Sequence, residues 1–293
     1  MNERIRLTQL SVTSQHYAAA RKLSAMGGNK FQDVTTILFD LDNTLINTKG
    51  ADQVACEQVS QYLQSVGVRR STAQDVAGKF YHFVRDTPQN PGDEDGDVDA
   101  WRLLLWKQAL GPGLATRAMD CYSRWREVRA CHLRLSPEIH DFLLQLRQHY
   151  KLGVVTNGPS SSQWEKIRRV PSNLFDAIVV SGDIHQKKPC PAIFEEAFRR
   201  LDSAAEECAM IGDRLDTDIA GAQNANCGVT VLLCPDGTFC REEDGPQPDY
   251  VISHLRELLD LLPDRKGFSF LCQNRTLNVF HSLREDVPAW NIS

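Results

Sequence analysis

Asp40 and Asp42 stand two residues apart in Phe39–Asp40–Leu41–Asp42–Asn43–Thr44–Leu45. The run before them, Val34–Thr35–Thr36–Ile37–Leu38–Phe39, is apolar and β-branched and reads as a buried strand. Two carboxylates at the exit of such a strand can face one cleft, the place where open α/β sheets take their ligands. The pair alone would suit an acidic turn equally well. The later chain supplies the complement: Thr156–Asn157–Gly158, Lys187–Lys188–Pro189 and Gly212–Asp213. A carboxylate attacks a phosphate dianion poorly because both are negative, so cations must neutralise the phosphoryl oxygens and donors must hold them. Asp40 and Asp213 follow separate strands, a pair that suits Mg²⁺ with its preference for oxygen ligands. Lys188 offers a point charge beside a helix start, Thr156 a hydroxyl, and Asn157 a backbone N–H. Each piece has a plain structural alternative as a turn, a surface charge or a helix cap, as Asp216 or Asp218 would be. Their joint order, each at a strand exit or before a helix, points to a site.

The elements that must position these residues alternate. Strands are expected at Lys151–Val155, Asp176–Val180, Cys208–Ile211 and Val229–Leu233, with a short sixth at Tyr250–Ile252. Helical spacing lies between them, as at Ile139, Phe142, Leu143 and Leu146 after the Ser136–Pro137 cap, and at Phe194, Ala197, Phe198 and Leu201. This is an α/β fold, a parallel sheet with helices on both faces. The stretch between the first and second strands is different. After a turn at Thr44–Gly50 come four amphipathic patterns, carried by Ala55/Val59/Tyr62/Val66, by Val76/Phe80/Phe83/Val84 after a Ser71/Gln74 capping box, by Trp101/Leu104/Leu105, and by Ala118/Tyr122/Trp125. Four helices without a strand form a small bundle inserted into the α/β domain. Residues 91–99 alternate acids and glycines like a calcium loop, but the ligand count fails and a solvated acidic loop is expected.

At 293 residues, with 42% hydrophobic and 24% charged residues, the chain has the composition of a soluble globular protein. A net charge of −5 gives no footing for nucleic acid, and no apolar run is long enough for a membrane. Nine cysteines without C-x-x-C pairs fit reduced thiols in a cytosol-like compartment. Residues 1–30 are mildly basic with Glu3 as the only acid; a flexible tail is preferred to a mitochondrial presequence, and the expected location is cytoplasmic.

The set FDLDNTL, TNG, KKP and IGDRLDTD resembles the four motifs of the haloacid dehalogenase superfamily of aspartyl phosphotransferases, over about residues 34–262. The longer stretches FDLDNTLINTKGA, KKPCPAIF and GDRLDTDIAGAQNA look like its N-acylneuraminate-9-phosphatase branch. The resemblance implies a Rossmann-like core over residues 34–50 and 134–263, its sheet in the order fifth, fourth, first, second, third strand, with a C1-type helical cap over 51–133, flanked by extensions at 1–33 and 264–293. It implies Asp40 as nucleophile and Asp42 as general acid/base. Mg²⁺ would be held by Asp40, Asp213 and the main-chain carbonyl of Asp42. Thr156, Asn157 and Lys188 would bind the phosphoryl group, with Asp218 orienting the lysine or a water. The implied partner is a small phosphorylated metabolite, a sialic acid 9-phosphate if the branch holds. Arg129, among Arg124, Arg126 and Arg129 of the fourth helix, is the residue expected to read the substrate carboxylate. Alternatives are a phosphatase for another small phosphate ester, a phosphomutase, or an inactive binding module. Asp42 argues against a dehalogenase, which needs no leaving-group acid.

Overall fold

A computed structural model of the chain describes residues 29–87, 97–237, 239 and 245–263. Six strands, β1 (Thr36–Phe39), β2 (Lys151–Thr156), β3 (Ala177–Val180), β4 (Cys208–Gly212), β5 (Val229–Leu233) and β6 (Tyr250–Ile252), form one sheet in the order β3-β2-β1-β4-β5-β6. Every pairing is parallel. The first five strands take the expected order, and β6 joins at the edge beside β5. The chain moves outward from β1 to β3 and then crosses back to β4, so connections reverse direction between β1 and β4. A crevice opens at such a point, because neighbouring loops leave for opposite faces.

Side chains alternate across this sheet. Ile37 and Phe39 face one layer with α5 (Pro137–Leu146) and α10 (Leu258–Leu261), packing with Phe142, Leu143, Leu146 and Leu258. Leu38, Val155 and Met210 face the other, against Ile193, Phe194, Ala197 and Leu201 of α8 (Pro191–Leu201). Ser136 caps α5 as expected, its hydroxyl accepting from the Ile139 N–H at 3.2 Å, with Pro137 at the first helical position.

Between β1 and β2 run α1 (Thr48–Ser65), α2 (Arg70–Asp86), α3 (Val98–Leu110) and α4 (Ala118–His132). They enclose an apolar core of their own, built on Val59, Leu63, Val76, Phe80, Trp106 and Trp125. Phe80 stacks on Trp106 at 3.8 Å between ring centroids and meets Trp125 edge-on at 5.2 Å.

Three local expectations change. The turn after Asp42 is shorter than expected, because Asn47 Oδ1 accepts from the Gly50 N–H at 2.8 Å and starts α1 at Thr48. The Ser71/Gln74 capping box does not form. Helix α2 begins at Arg70 after an extended Arg69, which puts Ser71 inside the first turn, away from the cap position. Leu104 faces outward, 52% exposed, because α3 turns Arg102, Leu105, Trp106 and Ala109 inward instead. Most of the acidic loop and both extensions lie outside the described residues. Asp97 at that loop's end caps α3, accepting from the N–H groups of Asp99 and Ala100. The seven cysteines among the described residues are free thiols.

Phe80→Ala removes the ring common to both aromatic contacts. It is expected to cost about 3–5 kcal/mol of stability in denaturant unfolding; a loss under about 1 kcal/mol would show that the helices draw their cohesion elsewhere.

Candidate active site

Asp40 follows β1 directly, and its N–H still pairs with Ile211 of β4 at 2.9 Å, so the backbone is fixed where the side chain leaves the sheet. After it the chain turns sharply. Asn43 adopts a left-handed conformation (φ 63°), one that asparagine tolerates well, and its Oδ1 accepts from the Lys49 N–H at 2.9 Å and the Thr48 hydroxyl at 3.0 Å. That fold-back ties the Asp-x-Asp segment to the start of α1.

Three carboxylates converge here. Asp40, Asp213 and Asp218 each offer an oxygen within 4.8 Å of the others. Asp213 follows β4. Asp218 lies one turn into the segment Leu215–Ile219, its Oδ2 accepting from the Arg214 N–H at 3.0 Å. It tucks against Gly212, where any Cβ would stand 2.2 Å from that oxygen, so the close approach requires glycine. Lys188 sits among the acids, 2% exposed. Its ammonium meets Asp40 Oδ1 at 2.6 Å, Asp218 Oδ1 at 2.7 Å and the Val155 carbonyl at 2.7 Å. Burial pushes the Asp40 carboxyl up to about 7; Lys188 pulls it down, while Asp218 and Asp42 raise it. Burial also works against the Lys188 charge, but the two carboxylates outweigh it and hold the ammonium protonated. The donor set fits a magnesium ion: hard carboxylate oxygens from two strand ends, with negative charge left over beyond the one buried ammonium.

Asn157 turns its side chain to the Lys188 backbone. Its Nδ2 donates to the Lys188 carbonyl at 2.9 Å and its Oδ1 accepts from the Lys188 N–H at 2.8 Å. The carboxamide holds the lysine's backbone, so what Asn157 can offer a ligand is its main-chain N–H. Thr156, fully buried at the end of β2, accepts from Gln163 Nε2 at 2.9 Å.

Asp42 stands apart from the three-carboxylate group, and its carboxylate faces α6 (Ser160–Ile167). Lys166 reaches both of its oxygens, at 2.7 and 2.6 Å, and Gln163 donates to Oδ2 at 3.0 Å. Burial raises the Asp42 pKa, yet Lys166, Gln163 and the more distant Arg129 charge outweigh it and hold the group ionised. Lys166 itself is lowered, first by burial and further by Arg129 and Arg102, although Asp42 opposes this. Gln163 and Lys166 were missed in the sequence. Their signal was available: a Gln and a Lys three apart share one face of the helix that begins just beyond Thr156–Asn157–Gly158.

Arg129 is not on a solvated face. It is 7% exposed, its Nε bonds Asp52 Oδ1 at 2.6 Å, and its guanidinium lies 5.1 Å from the Trp125 ring centre. Arg124 instead covers Tyr62, and Arg126 pairs with Asp99 at 3.2 Å. Arg102, also unnoticed in the sequence, is buried on the same side. Its Nη2 donates to Ser162 at 3.3 Å, its Nη1 lies 3.5 Å from Glu165, and its Nε has no hydrogen-bond partner among the described residues. Arg102, Arg129 and Lys166 therefore bring three cations to the junction of the helical insert and the sheet end.

Comparison with known proteins places this arrangement. A family model described as "Haloacid dehalogenase-like hydrolase" matches residues 37–232. N-acylneuraminate-9-phosphatase of Homo sapiens is 32% identical over 233 residues, 78% of this chain and 94% of that protein. Glyceraldehyde 3-phosphate phosphatase of Methanopyrus kandleri is 30% identical over 236 residues, 78% of this chain and 97% of that one. Among solved structures, the putative HAD-hydrolase YfnB of Bacillus subtilis, bound to magnesium, superposes with a TM-score of 0.56 at 24% identity, covering 79% of this chain and 99% of that one. That last likeness concerns the fold.

Lys166→Met is expected to raise the Asp42 pKa, because the charge that stabilises its ionised form is removed. A ¹³C titration of the Asp42 carboxyl reads this directly; an unchanged midpoint would mean that Lys166 does not govern the group.

Proposed function

Since this chain belongs to the haloacid dehalogenase-like hydrolase family, as a phosphatase, we propose that it cleaves phosphomonoesters through an aspartyl-phosphate on Asp40. The observation that carries this reading is the buried Lys188 bridge between Asp40 and Asp218, with Asp213 alongside, at the carboxyl ends of β1 and β4. In the first step an oxygen of Asp40 attacks phosphorus and the ester oxygen leaves with a proton from Asp42. In the second, Asp42 takes a proton from water as that water attacks the phosphorus, which releases phosphate and restores Asp40. Bound at Asp40, Asp213 and the Asp42 carbonyl, Mg²⁺ would supply positive charge that lets two anions approach. Lys188, the Thr156 hydroxyl and the Asn157 N–H would hold the phosphoryl oxygens, and Asp218 would keep Lys188 in place.

Asp42, clamped by Lys166 and Gln163, is in its base form. An arriving phosphate dianion would repel that carboxylate and favour its taking up a proton, so the same residue serves as acid in the first half-reaction and base in the second. Helices α1 to α4 would act as a cap over residues 51–133, excluding water from the intermediate. Asp40→Asn is expected to abolish turnover with the fold intact, and excess chelator to abolish wild-type activity; near-normal rates in either experiment would overturn the mechanism or the metal assignment respectively.

For the substrate we propose an N-acylneuraminate 9-phosphate. The buried guanidinium groups of Arg102 and Arg129, on the insert's side of the site, favour an ester that carries a second anion away from its phosphate. A sialic acid has such a carboxylate; glyceraldehyde 3-phosphate, on which the archaeal relative is named, does not. Arg129 would be the carboxylate reader, preset by Asp52 and Trp125. Arg129→Ala is then expected to lower kcat/KM for the sialate ester by about 2 kcal/mol, with little change for a small aryl phosphate. Equal losses on both would assign Arg129 a structural role. A wild-type preference for glyceraldehyde 3-phosphate or phosphoglycolate would reject the sialate assignment and leave the phosphatase standing.

A further inference from the structure

Lys49 has no part in the mechanism above, yet its ammonium reaches the site. It sits in the first turn of α1, its backbone N–H held by Asn43 Oδ1 at 2.9 Å, and its Nζ lies 3.3 Å from Asp213 Oδ2. The lysine is half exposed, whereas the Asp213 side chain is largely covered. Around Asp213 the charges do not balance. Asp40, Asp213 and Asp218 converge, and Lys188 spends its contacts on Asp40 and Asp218. The nearby Arg214 is turned to Asp216, which it meets at 3.1 and 2.7 Å. Lys49 is therefore, among the described residues, the ammonium that meets Asp213 itself.

We propose that Lys49 is an internal competitor of the divalent ion: it neutralises Asp213 while the metal site is empty and must give way when the ion binds. This rests on the reading of Asp40 and Asp213 as metal ligands. A lysine ammonium and a divalent cation on one carboxylate repel each other; Lys188 bears this beside Asp40 because Asp218 and the Val155 carbonyl hold it in place, whereas the half-exposed Lys49 can swing off Asp213. A half-exposed ion pair is also weak, so the ion can displace it. The consequence is a built-in weakening of metal affinity, coupled to the segment that joins Asp42 to the cap. Because the Lys49 backbone is fixed by Asn43, the displaced side chain swings away while α1 stays in place.

The test measures metal binding on the full chain, free of substrate. Mg²⁺ is titrated by calorimetry, and Mn²⁺ by the loss of its free-ion resonance signal, for wild type, Lys49→Met and Lys49→Arg. Lys49→Met is expected to tighten both ions about 3–10-fold, while Lys49→Arg, which keeps the charge, stays near wild type. Melting in chelator and in saturating Mg²⁺ gives a second readout. A tighter site predicts a larger metal-induced rise in Tm for Lys49→Met. Unchanged or weaker Mg²⁺ binding by Lys49→Met overturns the inference, and so does a raised KM for a phosphate ester at unchanged metal affinity, which would assign Lys49 to the substrate. Absence of Mg²⁺ and Mn²⁺ binding by the wild type would instead reject the metal reading on which the inference stands.

Discussion

One buried ammonium organises the site. Lys188 donates to Asp40 and to the Val155 carbonyl at 2.6 and 2.7 Å and forms an ion pair with Asp218 at 2.7 Å. A charge this deep is tolerated only with its partners in place, so each must be delivered accurately. Their delivery involves three strands: Asp40 leaves β1, Val155 belongs to β2, and Asp218 follows β4. The lysine's backbone is clamped on both sides by Asn157, at the end of β2. A salt bridge of this kind adds little net stability, since desolvation offsets most of the attraction. Its effect is geometric: it sets the position of the Asp40 carboxylate relative to every other group at the cleft.

The second organising element is α6. Gln163 and Lys166 face the sheet end and hold Asp42, while Ser162 and Glu165 contact Arg102 of α3. One short helix thus contacts both Asp42 and the helical insert. The charge on Arg129, in the insert, acts on both Asp42 and Lys166.

The described helices of the insert bury their own aromatic core, including the Phe80–Trp106 stack, separately from the two layers that flank the sheet. No described helix is long and apolar enough to cross a membrane.

Much of this was written in local pattern. β-branched runs marked the strands, 3.6-residue spacing marked the helices, and four short motifs at strand ends or before a helix announced Asp40, Thr156, Lys188 and Asp213, because such features depend on neighbours in the chain. Boundaries that hang on a single turn were less legible: Ser71 looked like a cap, but the helix starts one residue earlier. What the sequence by itself determined was the parallel sheet and the residues at its carboxyl end. What only the tertiary structure decided was pairing across long separations. Lys166 meets Asp42 from 124 residues away, and Arg129 meets Asp52 from 77. No periodicity encodes such contacts. Burial then separates Arg129 from its surface neighbours Arg124 and Arg126, because a guanidinium's environment is set by the elements packed over it and not by its place along the helix.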